Sequence, residues 1–136
     1  MGVATLRTGR ATVPCAQADE LEALRRYLDS HLQPGETFFD YSNQAALYFL
    51  MERRPPIRFV AAPLYEPEEL QREVIAALER ERPPLAILPH GEWTDTFDGI
   101  ANAVRTPLVA DYVYANYRVV EVAAGRLVAW RPPSSP

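Results

Sequence analysis

The chain has 136 residues, 48% hydrophobic and 24% charged, with 13 Pro, 6 Gly and one Cys, the size of one globular domain, and two full domains are excluded. Fourteen basic residues against 18 acidic ones give a net charge of -4, and the basic residues are scattered, so the electrostatic footprint of a nucleic-acid binder is missing. Every basic residue is Arg, which removes Schiff-base lysines, phosphate-loop lysines and Ser-Lys dyads from consideration.

Cys15 alone closes no intramolecular disulfide, and Cys and His never fall at zinc-ligand spacing. No apolar run approaches the ~20 residues that span a bilayer. Met1 to Cys15 lacks the basic and apolar regions of a signal peptide.

Residues 1–17 show no periodicity and read as a flexible arm. Asp19 to Leu32 places Leu21, Leu24, Leu28 and Leu32 at helical spacing, and Pro34-Gly35 stops that helix. Thr37 to Tyr41 is short, aromatic and β-prone, and Ser42 or Asn43 would cap an apolar helix over Gln44 to Met51. Arg54-Pro55-Pro56 precedes a strand-like Ile57 to Ala61, and Arg82-Pro83-Pro84 precedes a strand-like Leu85 to Leu88. Between them Pro67 to Arg82 carries Leu70, Val74, Ala77 and Leu78 on one amphipathic stripe. Strand, helix and strand in that order predict a βαβ crossover with parallel pairing.

Beyond Pro89 the chain is polar and aromatic, then weakly helical over Phe97 to Val104. Thr106-Pro107 reads as an N-cap and first-turn proline opening a helix through Asn116. Tyr117 to Ala123 and Arg126 to Arg131 read as an antiparallel hairpin. The expected fold is a three-layer, Rossmann-like α/β sandwich over residues 18–131, with three parallel strands and a C-terminal antiparallel hairpin. Residues 132–136 form a disordered tail.

In open α/β sheets ligands sit beyond the carboxyl ends of parallel strands. The first and third predicted strands should be neighbours, which brings Asp40, Ser42 and Asn43 to face His90, Glu92, Trp93 and Asp95 across a crevice. An imidazole near carboxylates could serve as a general base or in a metal site. The plainer reading makes the first three residues turn and cap residues and leaves His90 solvated. With only His31 and His90 in the chain, a multi-histidine metal site is not expected. The turn after the first strand has no glycine, against dinucleotide binding, and Gly-x-Ser-x-Gly is absent. No cofactor is expected, and the acidic crevice would suit a polyol, a sugar or a cation.

One run carries a likeness beyond these patterns. Gly35 to Phe59, with Gly35-Glu36-Thr37-Phe38-Phe39 leading into Ala46-Leu47-Tyr48-Phe49-Leu50 and Arg53-Arg54-Pro55-Pro56-Ile57-Arg58-Phe59, resembles the C-terminal soluble domain of multi-spanning GT-C membrane glycosyltransferases. These are the relatives of protein O-mannosyltransferases and aminoarabinose transferases that use polyprenyl-phosphate sugars. Leu78 to Leu88 is similar to that family's step from helix through proline to strand, and Asn116 to Val120 with Leu127 to Arg131 is similar to its closing hairpin.

The resemblance implies transmembrane helices upstream in a longer polypeptide and a place on the extracytoplasmic face of a bacterial membrane. It implies a non-catalytic accessory domain that shapes the acceptor side of the active site. Its partners would be the upstream transmembrane region and a glycan or lipid-linked sugar. The family's catalytic carboxylate lies in the membrane part, so it transfers to no residue here. The alternatives are a stand-alone module binding a sugar or cation at the strand ends, and a small hydrolase using His90 with Asp40, Glu92 or Asp95.

Overall fold

Alternate residues of the central strands enter two different apolar cores, one on each face of a four-stranded sheet. The computed structural model describes residues 3–5, 12–44, 46–59, 61–89, 96–97, 99–123 and 126–132. Strands β1 (Val3–Thr5) and β2 (Thr12–Pro14) pair antiparallel. They are followed by α1 (Cys15–His31), β3 (Phe38–Asp40) and α2 (Ala46–Met51). A 3-10 turn (Ala62–Tyr65) leads to α3 (Glu68–Glu81) and β4 (Leu85–Leu88). The short strands β5 (Thr96–Phe97) and β6 (Ile100–Ala101) precede α4 (Asn102–Arg105) and α5 (Pro107–Asn116). Strands β7 (Arg118–Ala123) and β8 (Arg126–Trp130) close the chain.

The main sheet has the order β3-β4-β8-β7. Only β3 and β4 run parallel, with Phe38 opposite Leu85 and Asp40 opposite Ile87; β8 is antiparallel to both β4 and β7. Successive strand residues point to opposite faces. Phe38, Leu85, Ile87 and Val128 therefore join Leu21, Leu24 and Leu28 of α1 and Leu47 and Met51 of α2. Phe39, Ala86, Leu88 and Ala129 join Val74 and Leu78 of α3 and Val109 and Val113 of α5. Helices on both sides explain why β3 and β4 are buried at every position.

The expected pairing of the strand at residues 37–41 with that at residues 85–88 is observed. The expected third parallel strand is not: Pro56, Ile57 and Arg58 form bends, so the mixed sheet holds one parallel pair where a Rossmann-like arrangement of three was predicted. Pro55 and Pro56 offer no N–H to a ladder, and the Arg54 carbonyl is taken by the Thr37 hydroxyl. The apolar character of this segment serves burial without pairing. Ile57 lies in the α3-side core with Phe59 packed against it, 5.8 Å from the Tyr65 ring.

Two further differences are local. Residues 1–17, expected to lack regular structure, contain β1, β2 and the first turn of α1. Where one weak helix was expected over Phe97 to Val104, the short β5–β6 pair comes first and α4 follows. Phe97 pairs with Ile100, and Gly99 takes φ +77°, a left-handed conformation that glycine adopts without strain.

Candidate functional site

The carboxyl end of β3 delivers Asp40, Ser42 and Asn43 together, as expected, into a buried polar network. Asp40 is the hub. Its Oδ1 accepts from the Ser42 amide at 2.9 Å and from the Ser42 hydroxyl, and its Oδ2 accepts from the Gln44 amide at 2.9 Å. Its own N–H donates to the Tyr48 hydroxyl at 2.7 Å. Asp40 thus folds the turn that launches α2. Ser42 or Asn43 was expected as the N-cap, yet the Ser42 hydroxyl is directed back to Asp40 and accepts from Gln44 Nε2 at 2.7 Å. Gln44 Oε1 in turn accepts from Arg126 Nη2 at 2.8 Å, joining the start of β8 to the turn.

Asn43 takes φ +61°, a left-handed conformation that Asn tolerates. Its side chain stitches two neighbouring segments to the turn. Oδ1 accepts from the Ala62 amide at 3.1 Å, and Nδ2 donates to Asn102 Oδ1 at 2.8 Å. Asn102 Nδ2 donates to the Tyr41 carbonyl at 2.6 Å, and the Tyr41 hydroxyl meets the Thr106 hydroxyl at 2.7 Å. Thr106 was expected to cap α5. Its hydroxyl bonds instead to the Asn102 carbonyl at 2.9 Å.

Burial pushes the Asp40 carboxyl up to about 6, although the Ser42 and Gln44 donors and the charge of Arg126 oppose the shift. Burial likewise raises Tyr48 well above the usual phenol range, and the adjacent Asp40 charge adds to it. Arg126 is lowered by its own desolvation, partly offset by Glu20 and Asp40. The carboxylate is enclosed by donors, and no three His, Cys, Asp or Glu side chains among the described residues group so as to hold a metal ion.

His90, Glu92, Trp93 and Asp95 lie outside the described residues. Sequence reasoning missed Gln44, Tyr48, Asn102 and Arg126 as members of the network. Gln44 and Arg126 are 82 positions apart, so no local pattern announced their contact.

With this geometry the chain is a mixed α/β domain with helices on both faces of its sheet. No protein-family profile, curated protein or solved structure matches the chain.

Proposed function

We propose that the chain is a non-catalytic extracytoplasmic accessory domain of a membrane glycosyltransferase that uses a polyprenyl-phosphate sugar, and that it shapes the acceptor side of the active site. The observation that carries this reading is the spending of polar side chains at the strand ends on internal bonds. Asp40, Ser42, Asn43, Asn102 and Thr106 bind backbone and one another. None of these is set up as a nucleophile beside a base.

The segment that resembles the glycosyltransferase family spends two of its polar side chains on nearby backbone. Tyr48 receives the Asp40 amide, and Arg53 Nη1 donates to the carbonyls of Glu36 at 2.6 Å and Gln33 at 3.2 Å, closing the turn before β3. This supports a scaffold role for the motif. No helix among the described residues is long and apolar enough to cross a membrane, so on this reading the membrane part lies elsewhere in the polypeptide.

The test compares two preparations: the polypeptide encoded by the complete natural gene, in membranes, and the purified domain. Each is given a polyprenyl-phosphate sugar and an acceptor. Transfer by the membrane preparation and none by the domain is the expected result. Turnover by the domain alone, or a gene without spanning segments upstream, overturns the reading.

A further inference from the structure

The mixed sheet ends in β3 on one side and β7 on the other, and the two edges differ. β3 is buried at every position, and its Asp40 amide donates to the Tyr48 hydroxyl at 2.7 Å. β7 carries Arg118, Glu121 and Val122 in solvent, Val122 at 54% exposure. A terminal strand presents a row of backbone N–H and C=O groups that no neighbour in its own sheet takes, which is a template for a further strand.

Register decides what that strand must be. Within the sheet Arg118 is opposite Trp130 and Glu121 is opposite Val128; Val128 lies in the α1-side core and Trp130 packs against it. Three positions apart, Arg118 and Glu121 would point to opposite faces of a regular strand. The bulge between Val119 and Glu121 brings both to the α1 side, where the Tyr27 hydroxyl hydrogen-bonds to the Glu121 carboxylate. Arg118 has no ion-pair partner among the described residues. Charges and bulges blunt an edge against strands at large. Here the two charges are opposite in sign, so one antiparallel register satisfies both when the added strand is β7 of a second copy. Arg118 of each chain then falls opposite Glu121 of the other on one face, with the two Val119 backbones opposed at the axis. The same register sets Val122 opposite residue 117, whose backbone is extended at φ -122° and ψ 144°.

We infer that two copies of the chain join through their β7 edges about a two-fold axis, making one eight-stranded sheet, with Arg118 of each chain paired to Glu121 of the other. The two-fold contact is self-complementary and closed, and the covered β3 edge gives no second site for growth. This goes beyond the accessory-domain reading and stands on the β7 edge alone, so either can fail without the other.

The test is the molar mass of the purified chain by sedimentation equilibrium over a dilution series reaching about 0.5 mM, a range that reads a small edge-to-edge contact. The wild type should pass from monomer to dimer within it and grow no further. Arg118→Glu and Glu121→Arg each set two like-charged pairs across the axis and should weaken the dimer about tenfold or more. Mixed in equal amounts, these two variants restore both opposite-charge pairs and should dimerise with each other as tightly as the wild type does with itself. The double variant Arg118→Glu/Glu121→Arg restores both pairs within one chain, so it keeps the test decisive if a single variant fails to fold, which circular dichroism reports. A wild type that stays monomeric throughout overturns the inference. So does a particle larger than a dimer, a dimer indifferent to both charge reversals, or a pair of single variants that ignore each other.

Discussion

Gln71 on α3 caps a different helix: its Oε1 lies 2.9 Å from the amide nitrogen of Leu108, in the first turn of α5, and it also accepts from Val109 at 3.4 Å. Its Nε2 donates to the Glu66 carbonyl at 2.7 Å. The first amides of a helix have no partner within it, and Thr106, which local sequence nominates for the role, bonds elsewhere. A buried Gln in an otherwise apolar stripe is thereby explained.

Replacing Gln71 with Leu leaves those buried amides unpaired, so a loss of about 1–3 kcal/mol is expected. Denaturant melts give the magnitude. Amide exchange gives the location, since Leu108 and Val109 should exchange faster while the far end of α5 does not. A variant with unchanged exchange at both positions contradicts the cap.

Leu47 and Phe49 are near neighbours on α2 with opposite fates, the first buried and the second 53% exposed. Leu47→Ala empties a site packed on the α1 side of the sheet and should cost about 2–5 kcal/mol. Phe49→Ala should change stability by less than about 0.5 kcal/mol, the usual range for a surface position. Equal effects in urea melts contradict this placement of α2.

Asp40 gives a pH dependence with a definite sign. Its folded-state pKa of about 6 exceeds the unfolded value of about 3.9, so below pH ~4 the group is neutral in both states and destabilises neither. As pH rises from about 4 to about 6, the unfolded chain loses the proton first and folding weakens, by on the order of 3 kcal/mol in all. Asp40→Asn removes the titration. Wild-type stability minus that of Asp40→Asn should therefore fall across this window and then level off, as read from denaturant midpoints at each pH. A flat or rising difference contradicts the assignment.

Arg82 ends α3 at φ +45° and ψ +57°, with its amide bonded to the Leu78 carbonyl. Glycine suits this left-handed position better than any residue with a Cβ. Arg82→Gly should raise stability by about 0.5–1 kcal/mol even though it deletes the exposed pair with Glu79. A loss larger than about 0.5 kcal/mol contradicts this account.

Periodicity carried the parts of the fold that rest on local chemistry. The stripes Leu21 to Leu32 and Val74 to Leu78 mark buried helix faces, and the two β-rich runs near the carboxyl end form the antiparallel β7–β8 pair. The apolar runs at residues 38–40 and 85–88 form neighbouring parallel strands. Periodicity failed where burial and pairing part company, because Ile57 and Phe59 are apolar enough for a strand while Pro55 and Pro56 deny them a ladder. Gly99 is a poor helix former, and the β5–β6 pair holds Phe97 and Ile100 where a helix was expected. At the strand end, Asp40, Ser42 and Asn43 were legible because turn chemistry is local. Their partners Asn102, Thr106 and Arg126 come from distant parts of the chain, and only the tertiary fold brings them there.

The strand order β3-β4-β8-β7 also sets a schedule for synthesis. Chains emerge amino end first, and β4 needs β3, already made, on one side and β8, made last, on the other. A nascent chain that has reached Asn116 can lay β3 against β4 but leaves the second edge of β4 open, with the backbone of Leu85 to Leu88 exposed to any passing strand. The β7–β8 hairpin closes locally and quickly once it appears. The interval of risk is thus the time taken to translate two strands, and aggregation during expression should track stalls between β4 and β8 more closely than it tracks the stability of the finished domain.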